Sequence, residues 1–375
     1  MQPGLLVVGH NGNGAHYING HSHQANGNGG SLRISSPDTS IDPEKPQTVT
    51  PKRYRQFLKK YLCAAIITPP VIIQIVYWIL ATEYGFYKLF PIRYEMMIVM
   101  MFGSFIGGAT AEGSGAIAFP VMTLLLHIPP TVARDFAVMI QTIGMNSAAV
   151  SVLLMGVLTE RHTMLFASIG GFFGTILSLE LIEPNLSGLI KKMIFVSVFF
   201  SFAIALYLLN GEKKRIVYDQ IQNFNFNKAC ILLLTGFVGG LFAGIGGSGL
   251  EIFSFSVITL LFRVTEKVAT PTTVSLAGIN CAFVFFWSHH KLHGIDQLSW
   301  EYFAVCVPVS CITGPLGATV SSYLHRQTLA VFIYVLETIA LLGAIIILRP
   351  RWEILLLCVL VCFGFYYGLE RLGRK

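Results

Sequence analysis

Ala109-Thr110-Ala111-Glu112-Gly113-Ser114-Gly115 returns 134 positions later as Ala243-Gly244-Ile245-Gly246-Gly247-Ser248-Gly249. Without a gap, the same offset superimposes Phe119 on Phe253, Thr131 on Thr265, Gly144 on Gly278 and Asn146 on Asn280. It also pairs Leu126 with Leu260, Ala148 with Ala282 and Val150 with Val284. The two windows, 109–150 and 243–284, share 11 identities, where apolar-biased composition alone supplies roughly four. Both copies lie inside long hydrophobic runs. A duplicated apolar unit, interrupted by glycine at matching points, predicts a transporter-type site between two repeats.

Composition sets the solvent. The chain has 375 residues, 54% hydrophobic and 12% charged, with a mean hydropathy of +0.65. Lipid surrounds most of such a chain. The net charge of +7 then marks cytoplasmic loops rather than nucleic-acid binding. The seven cysteines are odd in number, lie in or at the edge of apolar segments and form no C-x-x-C pair. Structural disulfides and a metal centre are therefore not expected, nor is any cofactor. Residues 1–50 are rich in Gly, Asn, His and Ser and read as a disordered polar tail. His16, His21 and His23 within it read as polar tail before they read as metal ligands. The apolar run at 5–8 is too short for a signal-peptide core, so the first span would act as an uncleaved anchor.

Apolar runs of about membrane-helix length fall near 62–82, 135–156, 163–182, 193–209, 268–288, 301–322, 328–347 and 352–369. Two runs are much longer, 95–127 and 229–262, and each holds its Gly-Ser-Gly near the middle. As one straight helix, such a run would be roughly 50 Å long, beyond a hydrocarbon core of about 30 Å. Each must break, as a kinked crossing or as a re-entrant hairpin of two half-helices meeting at the glycines. Basic residues favour hairpins. Lys52, Arg53, Arg55, Lys59 and Lys60 place the N-terminus in the cytoplasm. Hairpins leave 16 Lys and Arg inside and eight outside, tail excluded; single crossings give 14 and 10. The acceptor motif Asn185-Leu186-Ser187 then faces out, in a loop short for glycosylation.

The expected fold is an all-α polytopic membrane protein. It has two homologous repeats, each a Gly-broken hairpin plus about three transmembrane helices, inverted relative to each other. The segments are the tail 1–50, a basic segment and first helix 51–94, repeat 1 at 95–228, repeat 2 at 229–347, and a last helix with a basic C-terminus at 348–375.

A broken helix in a bilayer frees backbone N–H groups that lipid cannot satisfy. A half-helix N-terminus gathers several of them at the positive end of a dipole, an anion site. Glycine lets a ligand approach the backbone and permits positive φ. The candidate substrate-binding residues are Gly113, Ser114, Gly115, Gly247, Ser248 and Gly249. From the following spans come Gln141, Asn146, Ser275 and Asn280, with Gln141 aligned to Ser275 and Asn146 to Asn280. The competing reading is packing. Small residues four apart, as in Gly103/Gly107, Gly170/Gly174 and Gly240/Gly244, let membrane helices approach, and each Asn also suits a helix-to-helix hydrogen bond. Charges inside spans are few: Glu112, Glu251, Arg134-Asp135 and Glu337. Glu112 and Glu251 are both candidate proton carriers, each with pairing to an Arg as its alternative, and Glu112 is the sharper candidate for proton coupling.

The Gly-rich motif followed five residues later by Pro (Gly113-Ser114-Gly115 to Pro120), then a basic turn and a polar helix, all in duplicate, resembles the TauE/SafE sulfite exporter family over about 95–347. The resemblance implies a duplicated membrane transporter whose substrate is a small sulfur anion, sulfite or an organosulfonate, moved by an ion gradient. Two positions depart from the family pattern. Glu112 stands where glycine is usual, and Ser254 replaces the proline in the second copy. The long tail and extra spans imply a eukaryotic member.

The expected partners are thus the sulfur anion, protons and the lipid bilayer, with a homodimer as an option and no nucleic acid. The plasma membrane is the default location. The nearer rival is an anion channel. The distant one is a rhomboid-type intramembrane serine protease, since Gly246-Gly247-Ser248-Gly249 fits G-x-S-G and His289, His290 or His293 would have to serve as base. Against it, those histidines cluster at a span's end, and a protease gives no reason for duplication. The chain is read as a transporter, not an enzyme.

Overall fold

Apolar runs of this length become helices because hydrocarbon offers no partner for backbone N–H and C=O groups, which must bond within the segment. The computed structural model describes residues 52–110, 112–211, 217–291, 294–321 and 326–373. The polar tail 1–50, the basic triplet at 213–215 and His293 lie outside them.

The chain order is α1 (Lys52–Tyr84), α2 (Phe90–Ala109), α3 (Gly115–Pro120), α4 (Pro130–Leu154), α5 (Arg161–Leu177), α6 (Gly188–Gly211), α7 (Phe226–Gly246), α8 (Leu250–Ser256), α9 (Glu266–His290), α10 (Gln297–Ser321), α11 (Arg326–Leu348) and α12 (Trp352–Gly373). Nine helices among the described residues are long and apolar enough to cross a membrane. The protein is an all-helical, multi-pass membrane protein.

Both overlong runs are broken, but not into equal halves. The first divides at 110–114 and the second at 247–249. In each, the leading arm is a full-length helix, α2 or α7, and only the trailing arm is short. The short arms continue through a π turn, α3 into Val121–Leu125 and α8 into Val257–Leu261. Each folds back on its own leading helix. A Cβ added at Gly107 would lie 2.4 Å from Ser114 N, and one at Gly239 would lie 2.7 Å from Leu250 Cα.

Past the breaks, the two stretches match element by element at a spacing of 136, not 134. The π turns start at Val121 and Val257, and the next long helices at Pro130 and Glu266. Left-handed residues sit at His127 and Arg263, with φ of 55° and 56°. The threonine hydroxyls of Thr123 and Thr259 donate to Phe119 O and Phe255 O. Two more residues separate Gly249 from its π turn than separate Gly115 from its own. The gapless pairing of Gln141 with Ser275 and of Asn146 with Asn280 is corrected accordingly. Those residues do not hold matching places.

Small residues set the tightest helix contacts. A Cβ at Gly170 would sit 2.0 Å from Leu233 O, one at Gly174 2.0 Å from Phe237 O, and one at Gly240 2.3 Å from Gly171 O. The packing reading of Gly170, Gly174 and Gly240 therefore holds for the α5–α7 crossing. α2 and α10 cross as closely, at Gly317 against Phe105 O. α4 and α9 pack on each other, α4 on α3 and α9 on α8. Through Gln141, α4 also bonds Gly247 O and so reaches both breaks.

Candidate functional site

The first break begins where α2 ends. Thr110 N donates to Ile106 O at 2.8 Å, and Glu112 N reaches Thr110 Oγ1 at 3.3 Å. Gly113 follows with φ of 76°, and Ser114 is the N-cap of α3. The second break closes α7 with left-handed Gly247, whose N–H donates to Ala243 O at 2.7 Å. A left-handed glycine at this place is a usual helix stop. Gly249, with φ of 152°, starts α8. No residue with a side chain tolerates that angle readily.

These two breaks meet. Ser248 Oγ lies 3.2 Å from the Glu112 carbonyl oxygen. A Cβ at Gly113 would stand 3.3 Å from Ser248 Oγ and 3.1 Å from Glu251 Oε1, and one at Gly115 only 2.9 Å from Ser248 Cβ. Gln141, from α4, is wedged between them. Its Nε2 donates to Gly247 O at 2.9 Å and to Ala137 O at 3.2 Å. A Cβ would be 2.4 Å from its Oε1 at Gly113 and 2.6 Å from its Nε2 at Gly115. Two helix N-termini thus converge on one buried amide, and backbone approach, not only φ, demands the glycines.

The surroundings are polar, dry and short of partners. Glu112, Ser114 and Gln141 have no exposed surface, and Ser248 and Glu251 only 2% each. Both Glu112 carboxyl oxygens and Ser114 Oγ have no hydrogen-bond partner among the described residues. Buried polar groups in that condition are costly and, in membrane interiors, mark function. Glu251 is satisfied. Its Oε1 accepts from Ser248 Oγ and from Gly249 N, the latter at 3.2 Å. Glu251 Oε1 would stand 3.1 Å from a Cβ at Gly113, and Glu337 of α11 is a further buried acid of the bundle. No Arg or Lys pairs with Glu112 among the described residues. Arg134 is engaged elsewhere, with Asp135 at 2.6 Å and Glu183 at 3.3 Å, and Lys191 also bonds Glu183. The cleft beside Ser248, walled by Phe195, Phe199 and Phe242, holds about 10 Å³.

The other sequence candidates stand apart from this cluster. Asn146 Nδ2 donates to Gly278 O at 3.0 Å and to Thr142 O at 2.7 Å, tying α4 to α9. Ser275 Oγ turns back on its own helix, to Pro271 O at 2.9 Å. Asn280 Oδ1 is buried near Gly171 of α5 without a partner among the described residues. Glu251 was read in the sequence as an alternative proton carrier to Glu112 but not as part of the binding site. Its signal is Ser248-x-x-Glu251, the spacing of a capping box. Ser248 also bears on the protease reading. Its hydroxyl meets Glu112 O, Gln141 and Glu251, while His289 and His290 lie at the far end of α9.

A sequence model of the family described as Sulfite exporter TauE/SafE matches residues 96–344. No curated protein and no solved structure gives a match.

Proposed function

Since the chain belongs to the Sulfite exporter TauE/SafE family, and is therefore a membrane transporter of small anions rather than an enzyme, we propose that it carries sulfite or an organosulfonate through a site between its two glycine breaks. One observation supports this most. Ser114 and Ser248 each stand at the start of a short helix, and the two starts approach each other in a buried place, with Ser248 Oγ 3.2 Å from Glu112 O and a Cβ at Gly115 only 2.9 Å from Ser248 Cβ. Helix N-termini and hydroxyls hold an oxyanion without a buried cation. The glycines let its oxygens reach the N–H groups.

Glu251 already occupies part of that donor set. Its carboxylate takes the Ser248 hydroxyl and Gly249 N–H, the partners an oxyanion needs. With only about 10 Å³ free beside Ser248, a substrate enters by displacing that carboxylate and moving Gln141. A centre closed in this way favours an alternating carrier over an open channel. The two repeats, read as inverted, supply the two gating halves, and the basic N-terminal segment keeps the cytoplasmic side.

Coupling falls to Glu112. A buried carboxylate without donors opposes an anion unless a proton arrives with it. Uptake into proteoliposomes should rise when the substrate side is acidified. Glu112→Gln should flatten that dependence, and an unchanged pH profile would remove Glu112 from coupling. The substrate assignment is tested by the same vesicles offered sulfite, sulfate, thiosulfate and taurine. Sulfite or taurine should outrun sulfate, and indifference among the four contradicts it.

A further inference from the structure

The segment before α7 builds a second polar site, sharing no residue with the glycine breaks. Residues 217–225 are pinned at two points. Tyr218 N donates to Arg263 O and Thr265 N donates to Tyr218 O, both at 2.8 Å. Further along, Ile221 N donates to Glu160 Oε2 at 3.2 Å, and Phe224 stacks on His162 at 4.0 Å. His162 is itself held by Glu160 Oε1 at 2.7 Å. A strap fixed at both ends leaves a preformed groove, and preformed sites lose less order on binding.

That groove encloses about 390 Å³ where the N-terminus of α7 meets the turn into α9. Its charged lining is Lys228 and Arg263, with no carboxylate. Gln222, Asn225 and Asn227 add amides, and Ile231 and Phe262 an apolar floor. Lys228 Nζ donates to Gln222 O at 2.5 Å and stands 5.9 Å from the Phe262 ring centre, so an ammonium with three donors keeps some in hand. Arg263 makes no ion pair among the described residues. Two cations without an acid suit a phosphate group.

The same helix says what carries the phosphate. Leu234, which follows the groove residues Asn227 and Ile231 along one face of α7, is 61% exposed, and neighbouring Leu233 is 42% exposed. In a membrane helix such residues face acyl chains. A basic groove at a helix end, with exposed apolar residues beginning one turn further along the same helix, matches a phospholipid rather than a free anion. We propose that this groove binds the headgroup of an anionic phospholipid, with its chains along α7.

The test uses the full chain in detergent. It is titrated with phosphatidylinositol phosphate, with phosphatidylcholine of equal chain length and with free inositol phosphate, and bound molecules are counted by native mass spectrometry. The phosphoinositide should bind about 20-fold more tightly than phosphatidylcholine, and Lys228→Ala with Arg263→Ala should erase that preference. Lys228→Arg with Arg263→Lys should keep it, which separates charge from misfolding. Equal retention of both lipids, or an undiminished preference in the double alanine protein, overturns the proposal. So does free inositol phosphate binding as tightly as the lipid, which would assign the groove to a soluble anion.

Discussion

Gly115→Leu is expected to cut sulfite flux in proteoliposomes by about ten- to hundredfold, the effect of overpacking by a few kcal/mol. The position is the closest approach between the two glycine breaks. A Cβ there would lie 2.6 Å from Gln141 Nε2 and 2.9 Å from Ser248 Cβ. Neither neighbour can yield freely, since Gln141 is tied to Gly247 O and Ala137 O. A leucine therefore drives the two short helices apart and misdirects the donors of both. The comparison is Gly343→Leu on α11, where a Cβ would meet nothing within 4 Å. Tracer uptake at equal protein load should separate the two variants. Similar fluxes would mean that the approach at Gly115 is irrelevant to transport.

Gln141→Leu should have the second largest effect, through a different cause. The side chain is nearly the same size but has no donor. Gly247 O then loses a 2.9 Å partner in a fully buried place. An unsatisfied buried carbonyl costs about 1–3 kcal/mol, and the amide is also the link between the two breaks. The melting temperature in detergent should fall, and sulfite flux should fall with it by about tenfold or more. Gln141→Glu offers the contrast, keeping the acceptor but adding a charge beside Glu251 and Glu112, and should also lose transport. A Gln141→Leu protein with unaltered melting and flux would refute the bridging role.

Much of this arrangement was legible in the sequence. The lengths of 95–127 and 229–262 forced a break in each, and glycine marked where. That the breaks meet was not legible, because contact between segments 134 positions apart depends on the packing of α4 between them. The unequal arms were hidden too. Hydropathy sees one long apolar run, whereas extended Thr110 and left-handed Gly247 mark where the two leading helices stop. Alignment misled at Ser275 and Asn280. The identities clustered at Gly-Ser-Gly and held the register there, while the spacing between Gly249 and its π turn is two residues longer than in the first stretch. Asn146 followed the packing alternative, as a helix-to-helix bond to Gly278 O. Glu251 was written in a local signal, Ser248-x-x-Glu251, which has no counterpart in the first copy, where Ile117 follows Ser114 at the same spacing.

Equilibrium binding of radiolabelled sulfite to the purified protein tests the central claim most directly, with wild type set against the Ser114→Ala, Ser248→Ala double variant. Serine-to-alanine changes leave the glycine breaks and their close approach in place. Losing two hydroxyl donors to an anion should weaken binding by about tenfold or more; the melting temperature should hold in the single Ser114→Ala variant and fall modestly where Ser248→Ala takes a partner from Glu251. Sulfite bound with an unchanged Kd by the double variant would place the substrate elsewhere and contradict the account.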